Sequence, residues 1–306
     1  MKTCLLILLL CLATFAASNE VACGLTWLAG QQRADGSWST NAALNALPVL
    51  AFLSAGNVPA TPGYGAVIDR GVRYMLTQQT ADGAFTNGGA LMYGHGVTTL
   101  LLAEITGMVK RETGVRPRLT KAVELILRAQ AIPKGDLHAG GWRFYPDSTD
   151  SDLAVTVWQV AALRAALDAG LHVPREAFER AAHYLQRCEH PSGGFAYQPG
   201  GFPSSGRTAA AVLALRMCGR YETPTNNWPA VAWDDEYFYH AVFFCAQAGH
   251  GFDERLLAKL QNSDGSWPLP PHSLDEAEAG KLYTTSLAIL ALTAKDHYLP
   301  VFGVND

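Results

Sequence analysis

The chain of 306 residues lacks a charge excess of either sign: 27 acidic against 23 basic residues leave a net charge of -4. Such a balance gives no electrostatic reason to seek nucleic acid, whose phosphates need a basic surface. A membrane span is also lacking, because the apolar stretch from Leu5 to Phe15 is too short and nowhere after it do about 20 apolar residues run together. Cysteine is sparse, at six. No CxxC pair and no Cys/His cluster at zinc spacing occurs, so no metal site, and no other cofactor, is expected.

What stands at the start is Lys2, the apolar stretch, and then small residues at Ala16, Ala17 and Ser18. That layout predicts a cleavable leader over residues 1–18 and export to a periplasmic or extracellular location. Glu20, three residues before Cys23, argues against lipidation of that cysteine. Past the leader, Cys23, Cys188, Cys218 and Cys245 lie in or at the ends of apparent helices and read as buried thiols. An exported chain can pair Cys188 with Cys218, but spacing alone fixes no connectivity. The 49% hydrophobic content is enough for a large core.

A phrase, Gln-x-x-Asp-Gly-x-aromatic, occurs three times: Gln32 to Trp38, Gln79 to Phe85 and Gln261 to Trp267. Two looser copies lie between, Gln130 leading to Gly140-Gly141-Trp142 and Gln186 leading to Gly193-Gly194-Phe195, which gives a period of roughly 50 residues. Each copy follows an amphipathic run and precedes an Ala/Leu-rich one, so the unit is helix, Gly-containing turn, helix. Gln at a helix end can bond groups freed at the turn, Gly permits the reversal, and the aromatic staples the hairpin to its neighbour.

Six segments are apolar on all sides and predict inner helices: 40–55, 96–108, 153–169, 208–218, 238–248 and 283–294. Five amphipathic segments predict outer helices: 20–32, 66–79, 117–130, 174–188 and 253–261. Between Cys218 and Phe238, a run holding Pro224, Asn226, Asn227 and Pro229 favours a loop where an outer helix is due. The expectation is an all-α domain over residues 19–295, a closed (α/α)6 toroid of hairpins, with a tail over 296–306. An open solenoid would need polar caps at both ends.

In these letters the phrase resembles the Gln/Trp motifs of triterpene cyclases and the Gly-Gly-Phe repeats of protein prenyltransferase β subunits, which share the α/α toroid. In such a ring all six inner helix N-termini open onto one mouth, and function is sought there. His95 with Tyr93, Asp150 and Asp152, Arg207, Tyr239 and His240, and Tyr283 fall at those starts. Asp150-Ser151-Asp152-Leu153 is similar to the DXDD acid motif of squalene-hopene cyclases, which implies Asp152 as an acid kept neutral in an apolar pocket; here the last Asp is replaced by Leu153. Capping of the third inner helix is the plainer role for Asp150 or Asp152. His240 stands where the β subunits have a zinc His, but Gly206 to Ala209 do not supply the other ligands. His95 resembles a diphosphate-contacting His in the same enzymes. Arg207, opening an apolar stretch, needs a partner, and Asp150 and Asp152 are the natural ones. Trp158, Tyr239, Phe243, Phe244 and Tyr283 offer ring faces to a cation or simply pack the core.

Three functions remain open. The resemblance implies an enzyme or binding protein for an isoprenoid or other lipid, with Asp152, Asp150 and Arg207 as catalytic candidates and Tyr93, His95, Trp158, Tyr239, His240 and Tyr283 as substrate-binding ones. The alternatives are a non-catalytic envelope protein whose mouth holds a lipid, a peptide or a partner chain, and a toroid acting on a polysaccharide through Tyr, His and Arg.

Overall fold

The computed structural model describes residues 18–85, 91–110, 113–221, 231–250 and 252–303. The expected leader, 1–18, lies outside them except for Ser18, whose Oγ accepts from Val21 N and caps the first helix. Most of the expected irregular loop, 222–230, lies outside them too.

Eleven α-helices form among the described residues: α1 (Asn19–Gln31), α2 (Ala43–Ser54), α3 (Gly65–Thr77), α4 (Leu91–Ile105), α5 (Val115–Ala131), α6 (Leu153–Asp168), α7 (Arg175–Arg187), α8 (Ser205–Met217), α9 (Phe238–Gln247), α10 (Glu254–Leu260) and α11 (Leu274–Leu292). Helices α2, α4, α6, α8, α9 and α11 pack each on the next, and α11 returns to α2, so the inner ring is closed. The outer helices α1, α3, α5 and α7 lie against it. Nearly every residue of α6 and α8 is buried, as an apolar-all-round helix requires, whereas α3 and α7 bury one face only. None of the described helices is long and apolar enough to cross a membrane.

The repeated phrase builds this closure. In four copies the Gln amide donates twice, once to the Gly of its own turn and once into the next outer helix. Gln32 reaches Gly36 O and Val67 O at 3.0 and 2.9 Å, and Gln79 reaches Gly83 O and Arg118 O, both at 2.9 Å. Gln130 reaches Gly140 O and Ala177 O at 2.9 Å, and Gln261 reaches Gly265 O and Glu20 O at 2.9 and 2.8 Å. The last pair stitches the final hairpin to α1. The aromatic does two jobs: the indole N–H of Trp38, Trp142 and Trp267 donates to Leu28, Ile126 and Leu257 O of its own hairpin. The rings of Trp38 and Trp267 lie flush on Gly71 of α3 and Gly24 of α1, where a Cβ would come within 2.7 and 2.8 Å. Gln186 is exposed and makes no such stitch among the described residues.

Gln130 is 4% exposed, and its Oε1 also accepts from Arg180 Nη2 at 2.8 Å. Gln130→Leu leaves those partners unmet and is expected to cost about 2–3 kcal/mol in urea unfolding. Gln186→Leu, at the unstitched copy, is expected to change stability by less than about 0.5 kcal/mol.

Side chains meet across the ring and fill its axis. Trp158 of α6 stacks on Phe243 of α9 with centroids 5.6 Å apart and planes at 8°, and Phe244 and Tyr93 meet its edges at 5.4 and 5.8 Å. The expected tail is part of this core. Leu299, Val301 and Phe302 are buried, Phe302 lies edge-on to Phe243, and Val301 N donates to Glu104 Oε1 of α4 at 3.3 Å. The four cysteines among the described residues are free; Cys188 and Cys245 are buried and Cys218 is partly so, whereas Cys23, expected buried, is exposed.

Candidate functional site

The segments entering α6, α8 and α9 meet at the expected mouth. Asp152 is the N-cap of α6: its Oδ1 accepts from Val155 N at 2.7 Å, and its own N–H donates to Trp142 O at 2.9 Å. The capping role is thus real, and one carboxylate oxygen is left over. That oxygen, Oδ2, is met by Arg143 Nη1 at 3.2 Å, while Arg143 Nε lies 3.4 Å from Asp150 Oδ2. Arg143 also donates to Tyr197 Oη at 3.3 Å and lies over the rings of Phe144 and Tyr197 at 4.5 and 5.5 Å. Arg207 also lies over the Tyr197 ring, 5.9 Å from its centroid. Two guanidiniums therefore stand near one phenol.

Asp152 is fully buried, and burial pushes its carboxyl up to about 6 despite the Val155 amide and Arg143 pulling it down. Behind it Tyr197 is pushed up as well, by burial first and by the Asp152 carboxyl second. The partners expected for Arg207 are taken by Arg143. Arg207 pairs with no carboxylate among the described residues; its Nη1 donates to Phe202 O at 3.4 Å, and the guanidinium remains half-exposed in the mouth. Arg143 follows Trp142 of the third phrase directly, a position from which it reaches both Asp residues on the other side of the turn.

The remaining candidates divide. Tyr93 and Tyr283 meet across the ring with hydroxyls 3.4 Å apart, and Trp158 lies beneath them. Burial raises Tyr93 to about 12 and Tyr283 well above its usual value, and a carboxylate not foreseen from the sequence, Glu276, adds to both. Glu276 is 2% exposed, and its burial lifts it to about 7. His240 starts α9, is buried against Phe244 at 4.7 Å, and is held neutral, near 4, by burial and by the Arg207 charge. Among the described residues its Nε2 has no hydrogen-bond partner. Among the described residues no group of three His, Cys, Asp or Glu side chains is placed to hold a metal ion.

Two candidates belong elsewhere. His95 does not face the mouth: its Nδ1 accepts from Phe85 N at 3.2 Å and its Nε2 bonds Ala122 O of α5 at 3.1 Å, in a site without solvent that lowers it to about 4. It does the work that Asn45, Thr156, Thr208 and Thr285 do in the other copies, each accepting the backbone N–H of the phrase aromatic. Tyr239 is likewise engaged in the wall, with its hydroxyl on Pro268 O at 2.9 Å and its ring edge-on to Trp233 and Phe238.

A family model described as the prenyltransferase alpha-alpha toroid domain matches residues 143–267. No curated protein matches the chain significantly. Among solved structures, an α-1,6-mannanase of Salegentibacter sp. HEL1_6 superposes with a TM-score of 0.63 at 10% identity, over 91% of this chain and 98% of that one. An inactive variant of that enzyme, in complex with α-1,6-mannotriose, aligns equally well. A type II terpene cyclase from Scytonema gives a TM-score of 0.42 at 14% identity, over 93% and 98% of the two chains. The residues that match the family model, 143–267, hold the arginine pair, Asp152 and the start of α9.

Proposed function

We propose that this is an exported toroid whose mouth binds a polysaccharide. The observation that carries this reading is the cluster of the Arg143 and Arg207 guanidiniums at the Tyr197 ring, with Arg207 in no ion pair among the described residues. Fixed donors next to flat ring faces suit hydroxyls on a sugar ring, and the exposed Tyr145 and Phe202 extend the aromatic shelf. The isoprenoid reading asks for an apolar cavity on the axis, and that space is filled by Trp158, Phe243 and Phe244, each no more than 1% exposed. A cavity of about 350 Å³ opens instead at the opposite end, between Leu213, Gln247, Leu292 and Phe302.

Titration calorimetry with α-1,6-mannotriose and a panel of neutral and acidic glycans tests this. Arg207→Ala is expected to weaken binding by about tenfold, close to 1.4 kcal/mol, with little change in melting temperature. An absence of binding to every glycan, together with a polyprenyl lipid co-purifying in mass spectrometry, would sink the reading in favour of the isoprenoid one.

One observation favours catalysis in addition: a carboxyl held near 6 is partly protonated at neutral pH and suited to act as a general acid. If Asp152 is that acid, the bound glycan is shortened and Asp152→Asn abolishes the shortening without abolishing binding.

A further inference from the structure

The cavity at the end of the ring away from the mouth has a chemistry of its own. Its volume of about 350 Å³ lies between the last turns of α8, α9 and α11, the first turn of α10 and the 3₁₀ turn Ala294–Asp296. That is near the lower end of the roughly 300–1,000 Å³ that small-molecule sites occupy. The floor is apolar: Leu213 and Ala291 are 1% and 3% exposed, and Phe302 closes the side toward the ring axis, edge-on to Phe243. Phe302 is held in place through its neighbour, because Val301 N donates to Glu104 Oε1 of α4 at 3.3 Å. The wall is thus part of the folded core.

Three helix C-termini meet here, and their end carbonyls would favour a donor or a cation if they were open. They are engaged. Ala248 O accepts from Arg216 Nη1 at 2.9 Å, and Leu290 O accepts from Gln247 Nε2 at 3.0 Å. Cys245 O and Ala246 O accept from the amides of His250 and Gly249, Ala291 O from that of Thr293, and Ala294 O from that of His297. The open groups are donors instead. Arg216 is fixed through Nη1 and forms no ion pair among the described residues, which leaves its Nε/Nη2 edge, a fork that matches a carboxylate. Lys295 Nζ lies 3.5 Å from Glu254 Oε2, but the two side chains are 68% and 54% exposed, so water screens the pair. Apart from His250 and His297, the lining carries two cations against one carboxylate.

We propose that this cavity binds a small organic anion with an apolar body, which lays the body on Leu213, Leu292 and Phe302 and sets its charged oxygens against Arg216 and Lys295. Removing the apolar body from water drives the binding, and the guanidinium fixes which end of the ligand faces the rim. A neutral ligand of the same shape would leave the Arg216 edge to water and gain only the first of these. The cavity shares no residue with the mouth, and the inference does not rest on what binds there.

The fluorescence of 8-anilinonaphthalene-1-sulfonate, an aromatic anion, tests the site on the full chain. Saturable binding at one equivalent is expected, with octanoate displacing the probe about tenfold more effectively than octan-1-ol does. Arg216→Gln should weaken the probe and octanoate about tenfold, and Lys295→Gln about threefold. Ala246→Trp fills the cavity from a half-buried position in its wall and should remove the binding. Arg207→Ala, which takes away the cation at the mouth, should leave it unchanged. Should Arg216→Gln lower the melting temperature, Lys295→Gln and Ala246→Trp still decide, since neither replaces a fully buried side chain. Displacement by octan-1-ol as readily as by octanoate overturns the anion. No saturable binding, binding that survives Ala246→Trp, or a larger loss in Arg207→Ala than in Arg216→Gln overturns the site.

Discussion

Arg143→Ala is expected to destabilise the protein by about 2–4 kcal/mol at pH 8, and by much less at pH 5, when unfolding in urea is compared at the two values. The argument rests on Asp152. Its carboxyl is buried and capped by one amide, and Arg143 is the cation that faces it at 3.2 Å. Burial already lifts this group from 3.8 to about 6, so the folded state holds its proton more tightly than the unfolded chain does. Stability from that preference is complete below the unfolded value, near pH 4, and is lost as pH rises through about 6. Removing Arg143 takes away a lowering influence and moves the folded value further up. The gap between variant and parent should therefore open as pH climbs past 6 and level off above the new folded value. At pH 5 the carboxyl is mostly protonated in both proteins, and only the lost ring contacts of Arg143 with Phe144 and Tyr197 remain. A gap of the same size at both pH values would mean that the pair contributes packing and not charge.

The same pair shows how far the residues alone reach. That Asp152 begins the third inner helix is plain from its place before an Ala/Val-rich run, and an Asp there predicts both a cap and a buried carboxyl. Which cation would face it is not. Arg143 and Arg207 both stand near helix starts, and only the fold of the 142–152 turn, where Trp142 and Asp152 pair through their backbones, brings Arg143 in and leaves Arg207 outside. His95 was hidden by loop length. The acceptor for each phrase aromatic lies 7, 10, 14, 13 and 18 residues downstream, so no fixed spacing relates His95 to Asn45 or to the three threonines. Had the loops been equal, His95 would have read as a wall residue at once. Glu276 gave no local signal, because it caps a helix 36 residues away in the chain.

The ring's seam yields the second large expectation: Gly265→Ala should cost about 2–6 kcal/mol, the sum of left-handed strain of about 1–3 kcal/mol and overpacking of about 1–3 kcal/mol. Gly265 has φ 90, and a Cβ there would lie 2.5 Å from Cys23 O and 2.9 Å from Cys23 C, backbone atoms of α1 that cannot rotate aside. The geometry is that of every stitched turn: Gly36 faces Arg70 O at 2.5 Å and Gly83 faces Lys121 O at 2.6 Å. If the last and first hairpins close as firmly as the internal ones, Gly265→Ala and Gly36→Ala should lose equal stability in urea. Gly249→Ala controls for strain alone, because its φ is 72 and nothing stands within 4 Å, and about 1 kcal/mol is expected there. The seam also carries Gln261 on Glu20 O and Trp267 on Gly24, so opening it would uncover α1 and the outer face of α11 together. A Gly265→Ala loss no larger than that of Gly249→Ala would mean that α1 yields at the seam, and that the chain behaves as an open array of hairpins rather than a ring.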